Sequence, residues 1–328
     1  MTGAQRVFLR SVALLLWLCT GGSWAAGAHG VESAGSASAS APSATPSAPA
    51  SYSAEGADTC LGCHNDPQIL TLFRTKHAQP NDPRGPFGHG GLQCEACHGP
   101  GGSHVKAKGR KPAGIVDFGT NAIAPVSRQN AMCLGCHEKD AAHSWGASAH
   151  AANEVSCAAC HQMHAAQDPV RQAATQPEIC GRCHNAQQAG LVKPSHHPLH
   201  EGKMSCTSCH SPHGSPASAS LVRNTVNETC TSCHAEYRGP FLWEHQPVTE
   251  DCSNCHDPHG STQPALLKAR APFLCQQCHE AQGHPSVPMT PQGLPGGSPS
   301  PYLLAGACLN CHSQIHGSNH PSGRALMR

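Results

Sequence analysis

Apolar residues crowd into one short run near the start of this 328-residue chain and are sparse after it. The run fills residues 12–19, behind Arg6 and Arg10 and ahead of a string of small residues. A basic start, a brief apolar stretch and small residues are the layout of a secretory signal peptide. It is expected to occupy residues 1–25, with cleavage after Ala25 (Ser23 and Ala25 in the small-residue positions) or after Ala28. The run falls well short of the ~20 residues a helix needs to cross a bilayer, and no later stretch approaches that length. A lipid anchor on Cys19 would want a small residue before it, where Leu18 stands. Residues 31–57 are nearly all Ser, Ala, Pro and Gly; they cannot bury apolar surface, so residues 26–58 read as a disordered tether. Aromatics make up only 4% of the chain, and 33 glycines and 28 prolines punctuate it. This pattern predicts mostly coil with short α-helices, little or no β-sheet and no conventional core.

What replaces the core is visible in the cysteines. Ten Cys-x-x-Cys-His motifs account for all but one of them: Cys60/Cys63, Cys94/Cys97, Cys133/Cys136, Cys157/Cys160, Cys180/Cys183, Cys206/Cys209, Cys230/Cys233, Cys252/Cys255, Cys275/Cys278 and Cys308/Cys311. They end in His64, His98, His137, His161, His184, His210, His234, His256, His279 and His312. This is the attachment pattern of c-type haem, in which two thiols add across the porphyrin vinyl groups and the adjacent imidazole reaches the iron. A disulfide framework needs no histidine after each second cysteine, and structural zinc, with four ligands, leaves most of these histidines unused. Ten covalently bound haem c groups are expected, and their porphyrins supply the apolar bulk that the polypeptide lacks. The chemistry is electron transfer, and the fold should depend on haem.

The cofactors change the meaning of the formal net charge, which is +1. A ferric haem with two imidazoles and two propionates adds about −1, so the oxidised holoprotein carries about −9, and reduction makes it more negative still. This argues against a nucleic-acid partner and for steering towards basic patches on redox proteins.

A repeat singles out the second axial ligands among the 26 histidines. Taken in pairs, the first motif of each pair is followed by a histidine before the second, and the second is followed almost at once by another. His77, His150 and His197 each lie thirteen residues after the histidine of their motif; His245 and His284 follow at shorter intervals. The even-numbered motifs are followed by His104, His164, His213, His259 and His316. Five dihaem units thus offer ten distal candidates, with His196 an alternative to His197 and His320 to His316. The proline before His213 and His259 restricts the turn and projects the imidazole towards a neighbouring haem. His89, His143 and His200 break the pattern. Methionines (Met132, Met163, Met204, Met289 and Met327) do not recur with the repeat. Bis-histidine iron throughout implies low potentials and no open coordination position. A multihaem reductase would need such a position.

The segments at residues 92–100 (LQCEACHGP), 197–214 (HPLHEGKMSCTSCHSPHG), 243–260 (WEHQPVTEDCSNCHDPHG), 270–280 (RAPFLCQQCHE) and 308–323 (CLNCHSQIHGSNHPSG) resemble the periplasmic decahaem cytochromes of the MtrA/DmsE family. The likeness runs from residue 59 to the end and takes in all ten motifs. It implies an elongated haem wire of two pentahaem-like modules, about residues 59–200 and 201–328. It also implies insertion in a porin-like outer-membrane β-barrel, with electrons passing between periplasmic carriers and an extracellular donor or acceptor. That outer partner could be an extracellular multihaem cytochrome, a metal oxide or ferrous iron, and direction is left open. A free periplasmic shuttle is the alternative. The dihaem unit from Cys180 to His213 straddles the boundary between modules, so the two descriptions agree only if neighbouring units exchange ligands.

Overall fold

The computed structural model describes residues 51–108, 114–139, 142–279 and 308–327. The expected signal peptide, most of the tether and His284 lie outside the described residues. All the described residues belong to one contact unit, residues 49–328. None of their helices is long and apolar enough to cross a membrane.

Helices are short because proline, glycine and the motifs interrupt them. The longest, Val126–His137, has 12 residues. Proline is tolerated only in the first turn, and it sits there in Pro67–Leu70, Gln176–Gly181, Gln246–Glu250 and Ala271–Cys275. A regular alternation emerges. Each odd-numbered motif begins on an α-helix: Ala57–Leu61, Val126–His137, Gln176–Gly181, Val226–Thr231 and Ala271–Cys275. Even-numbered motifs after the first begin on a 3-10 turn: Cys157–Ala159, Cys206–Ser208, Cys252–Asn254 and Cys308–Asn310. The second motif, Cys94–His98, is an α-helical turn.

Among the described residues no strand forms; four isolated bridges do the pairing. Two close the loop after an even motif, His210 with Leu221 and His256 with Leu267. Two others, Ser195 with Ser261 and Trp243 with Ser318, join different dihaem units. Among the described residues only nine hydrophobic side chains are buried, three of them alanines, and Val116 is the largest fully buried one. The packing that would hold a chain of this size together must therefore come from the porphyrins.

The N-terminal edge is more ordered than its composition suggests. Ser53, placed in the tether by composition, gives its N–H and Oγ–H to the buried Glu95 carboxylate at 2.9 and 2.7 Å. Glu95 also accepts the Gly101 N–H at 2.6 Å, and the Gly102 N–H reaches the Ser51 carbonyl.

Candidate cofactor-binding sites

Within a motif the backbone turns once, so that the histidine N–H donates to the carbonyl of the first cysteine at 2.9–3.1 Å. This is seen at His64, His161, His184, His210, His234, His256, His279 and His312. One helical turn sets both thiols and the imidazole on the same side, as a haem bonded at two vinyl groups and at iron requires. All twenty motif cysteines are free of disulfides.

Thiols of neighbouring motifs meet in a fixed order. The first cysteines of the two motifs in a unit lie close together: Cys60 with Cys94, Cys133 with Cys157, Cys180 with Cys206, Cys230 with Cys252, and Cys275 with Cys308. Burial, then the charge of Cys60, lifts the Cys94 thiol to about 11. Between units the thiols are near enough to feel one another's charge, Cys97 that of Cys133, Cys160 that of Cys180, Cys209 that of Cys233 and Cys255 that of Cys278. Consecutive attachment sites therefore adjoin from the first motif to the tenth.

The polypeptide does not enclose the twenty attachment thiols equally, although the identical motifs suggest that it should. Every first cysteine is half-buried, whereas the second is exposed in six motifs, at Cys63, Cys136, Cys183, Cys233, Cys278 and Cys311. These are the five odd motifs and the last. The cause is the order of packing. An even motif is overlaid by the unit that follows, so Cys97 has Cys133 and Cys136 beside it, and Cys160 has Cys180 and Cys183. In an odd motif the second cysteine stays exposed. The backbone turn is the same in both kinds of motif: the N–H groups of Cys63 and Cys183 close onto the carbonyls of Cys60 and Cys180 at 3.1 and 3.2 Å, and that of Cys160 onto Cys157 at 3.2 Å. Cys311 closes onto Cys308 in the same way at 3.2 Å, in the tenth motif, which no further motif overlays. Exposure at these six positions is compatible with attachment, since a thiol must face outward from its turn to reach a vinyl group at the porphyrin edge.

The imidazoles meet in pairs, each of one motif histidine and one repeat-placed histidine. Centroids lie 6.2 Å apart for His64–His104, 6.0 for His77–His137, 6.2 for His98–His164 and 6.1 for His150–His184. They lie 5.9 Å apart for His161–His213, 6.5 for His197–His234 and 6.0 for His210–His259. His245–His279 and His256–His316 are both at 6.1 Å. A metal–imidazole bond is about 2.0–2.1 Å and a ring centre sits about 1.1 Å behind its nitrogen, so two imidazoles across one metal should have centroids about 6.3 Å apart. The rings are spaced as a haem iron between them requires, and the donor set fits bis-histidine haem c.

The order of pairing is an exchange between units. His77, His150, His197 and His245 each face the first motif histidine of the next unit, His137, His184, His234 and His279. His164, His213, His259 and His316 each face the second motif histidine of the preceding unit, His98, His161, His210 and His256. At the N-terminal end, where no preceding unit exists, His104 folds back onto His64 of its own unit. His284, the remaining candidate, lies outside the described residues. The pairs His161–His213 and His197–His234 cross residue 200, so the two halves of the chain share imidazoles.

Hydrogen bonds at Nδ1 leave Nε2 as the free lone pair. His98, His210, His256 and His312 donate Nδ1–H to the carbonyls of Val116, Ala219, Ala265 and Ala325, at 2.8, 2.9, 2.7 and 2.7 Å. Two of these acceptors, Ala219 and Ala265, have φ of 51° and 54°. That is the left-handed region, costing non-glycine residues about 1–2 kcal/mol, and such strain is retained where it aims a functional group. His150 and His197 donate to the carbonyls of Pro212 and Pro258 at 2.9 and 3.0 Å. The prolines before His213 and His259 thus brace His150 and His197, which belong to other pairs, as well as shaping the turn. His245 approaches the Ile315 backbone in the equivalent way, but without the geometry of a formed bond, and its buried Nδ1 is unsatisfied.

Burial, and after it the charge of the facing histidine, holds His77, His164, His245, His259 and His316 below the ordinary imidazole value. The neutral form this favours is the one that ligates.

The alternatives left open by the repeat part company here. His196 donates to the Lys193 carbonyl at 2.6 Å and turns its other nitrogen towards Glu201, while His197 faces His234. Nδ1 of His320 accepts from the Ser322 N–H at 3.2 Å, which puts its proton on Nε2, while His316 faces His256. His89, His143 and His200 are exposed.

Sequence reasoning missed the residues that lock three of the five units. Asn130 donates to the Val155 carbonyl and accepts the Cys157 N–H at 2.8 Å. Asn227 does the same with Val248 and Cys252, and Gln176 accepts the Thr207 N–H at 3.0 Å. Each carries a side-chain amide three or four positions before an odd motif, a spacing that could have been noticed. Asp168, which accepts from His161 Nδ1–H at 2.6 Å, was also missed.

Comparison with known families identifies the motifs. A doubled Cys-x-x-Cys-His motif family matches residues 196–239 and 245–284, pairing the sixth site with the seventh and the eighth with the ninth. That register is one motif out from the units that share a thiol contact. Residues 94–179 match a family described as cytochrome c-type protein NrfB-like. The chain is 47% identical over 281 residues to multiheme cytochrome MtrA of Shewanella baltica, covering 85% of this chain and 83% of that one. It is 28% and 29% identical to the cytochrome c-type proteins NrfB of Haemophilus influenzae and Escherichia coli O6:H1, covering 39% of this chain and 65% of each of theirs.

Proposed function

Because this chain belongs to the MtrA family of multihaem c-type cytochromes, an electron-transfer family binding haem c covalently, we propose that it conducts electrons across the outer membrane. In this reading it sits inside a porin-like β-barrel partner and links periplasmic carriers to an extracellular donor or acceptor. When bound, each haem supplies one-electron ferric–ferrous chemistry, at low potential if both axial ligands are imidazoles.

The residues divide the work. The ten cysteine pairs fix the porphyrins. His64, His98, His137, His161, His184, His210, His234, His256, His279 and His312 bind iron on the attachment side. On the other side His104, His164, His77, His213, His150, His259, His197, His316, His245 and His284 serve them in that order. Both axial positions are filled at every site, so nothing is offered to a small substrate. Nδ1 hydrogen bonds hold the imidazoles in the ligating tautomer and orientation.

The single observation that carries the reading is the unbroken exchange. Every unit lends an imidazole to each neighbour it has, so no unit can swing away from the next without losing ligands. The halves at about residues 59–200 and 201–328 act as one series for the same reason. A shuttle needs a few exposed haems; a series held in register from end to end suits conduction over distance.

The test is purification from the outer membrane in mild detergent, followed by insertion of the purified material into liposomes loaded with a redox dye. The cytochrome should travel with a large β-barrel protein, and external reductant should bleach the dye only when both are present. Release of the cytochrome alone by osmotic shock, with no barrel and no transmembrane bleaching, overturns the conduit in favour of the shuttle.

A further inference from the structure

The five even-numbered motif histidines all hand their Nδ1 proton to an acceptor in the loop that follows, but the acceptors are not alike. At His98, His210, His256 and His312 it is a neutral backbone carbonyl. At His161 it is the carboxylate of Asp168, whose Oδ2 lies 2.6 Å from Nδ1. The other oxygen accepts the Gln162 N–H at 3.1 Å, so two bonds from the motif hold the carboxylate in place. Its side chain is only 11% exposed, and that of His161 29%, so screening by solvent and salt is weak. Elsewhere a carboxylate near a paired histidine stands off. Glu236 is 3.6 Å from His234 and Asp257 is 3.8 Å from His259, beyond hydrogen-bonding distance and more exposed.

We infer that Asp168 is a positioning residue that sets the potential of the fourth haem, the one attached at Cys157 and Cys160 and held by His161 and His213, below that of its even-numbered counterparts. The inference rests on the ligand pairing proposed above. A carboxylate that accepts from Nδ1–H pushes electron density through the ring to Nε2 and makes the imidazole a stronger donor to iron. It also fixes a negative charge beside the site. Both effects stabilise the ferric over the ferrous form, and hydrogen bonding and charge around the ligands are established levers on haem potential. The carbonyl acceptors do the first weakly and the second not at all.

The opposite face of the same site is also fixed. The indole of Trp145, 8% exposed, meets the His213 ring at 6.1 Å and stacks on His150 at 6.5 Å. His213 is thus held against rotation, and its partner His161 is held by Asp168. An electron moving along the series meets at this point a site that it reduces less readily than the even-numbered sites beyond it. That places an energetic step at the junction of the second and third units.

The test is a spectroelectrochemical titration of the full holoprotein and of Asp168→Asn, which keeps an acceptor oxygen and removes the charge. One haem's share of the α-band amplitude should move to higher potential. The reduction equilibrium should change about tenfold, which for a one-electron couple is about 59 mV. Haem content and the low-spin EPR signals should be unchanged, and Asp168→Glu should return the curve towards that of the parent. A superimposable titration for Asp168→Asn overturns the inference. So does an equal shift in Asp168→Glu or loss of haem, since either would mark a merely structural role. His213→Met separates the two layers. If it raises one potential while Asp168→Asn does not, the pairing stands and the tuning falls; if it changes nothing, both fall.

Discussion

Gly190 offers a test of how tightly neighbouring units are pressed together. It lies near the end of the helix Asn185–Leu191 and is buried against the last residue of a Cys-His-x-x-His turn, His259. Helix propensity alone says that Gly190→Ala should stabilise the protein by about 1 kcal/mol. The structure says otherwise. An added Cβ would stand 2.6 Å from the His259 carbonyl oxygen and 3.1 Å from its carbonyl carbon. An ordinary contact is about 3.5 Å or more, so the His259 backbone must retreat by nearly an ångström. Overpacking of this kind costs about 1–3 kcal/mol, enough to cancel or outweigh the propensity gain. More tellingly, an iron–nitrogen bond tolerates only about 0.2 Å of error, so His259 should part from the iron it shares with His210. The assay is carbon monoxide binding to the reduced variant, with ferric high-spin EPR as the second readout. About one equivalent of carbon monoxide per chain is expected, against none for the parent. The control is Gly135→Ala in the helix Val126–His137, where an added Cβ meets nothing within 4 Å. That change should leave every site closed. If Gly190→Ala binds no carbon monoxide and melts at or above the parent temperature, the junction relaxes freely and the close-packing argument is refuted.

Other outcomes follow from the same geometry. His316→Ala should open one iron to carbon monoxide while His320→Ala should not; the reverse result would transfer the ligand role to His320. Pyridine haemochrome assay with intact mass should give ten haems per mature chain, all low-spin, and a high-spin signal in the native protein would revive a substrate-binding site. A conduit must outreach the ~30 Å hydrocarbon core of a membrane, so solution scattering should give a radius of gyration well above the ~20 Å of a compact chain of this length. A value near the compact figure would favour the shuttle.

The haem sites were legible in the sequence because their chemistry is local: five contiguous residues make two thioethers and one axial bond. The uneven cover of their thiols was not, since Cys136 and Cys160 occupy the same place in the same motif pattern and differ in the structure laid around them. The repeat also brought out the distal candidates, and all nine of those that are described face a motif histidine. Their partners were not legible. His150 belongs with His184 and leans on Pro212, 62 positions away, and only the stacking of units brings these together. Asn130 and Asn227 were invisible for a similar reason. Asparagine before a helical motif is unremarkable until a return of 25 residues or more lays the next motif across it. Asp168 sits in a loop whose closure on His161 has no pattern in the sequence. Composition could not tell that Ser51 and Ser53, which look like the rest of the Ser/Ala/Pro stretch, meet Gly102 and Glu95.

The lending of imidazoles between neighbours has a consequence for how the protein is made. A polypeptide exported from its N-terminus presents its units in order, and the two kinds of site then mature at different times. His137, His184, His234 and His279 face histidines that have already emerged, so these sites can close as soon as they arrive. His98, His161, His210 and His256 must wait for a histidine still on its way. On the proposed pairing, every unfinished chain that has passed its second motif would end in a haem with one bare axial face, open to peroxide and stray ligands, and each arriving unit would cover the last such face while creating the next. A chain cut short at a unit boundary would keep that reactive face for good, which makes truncation chemically visible and gives the cell a reason to degrade it.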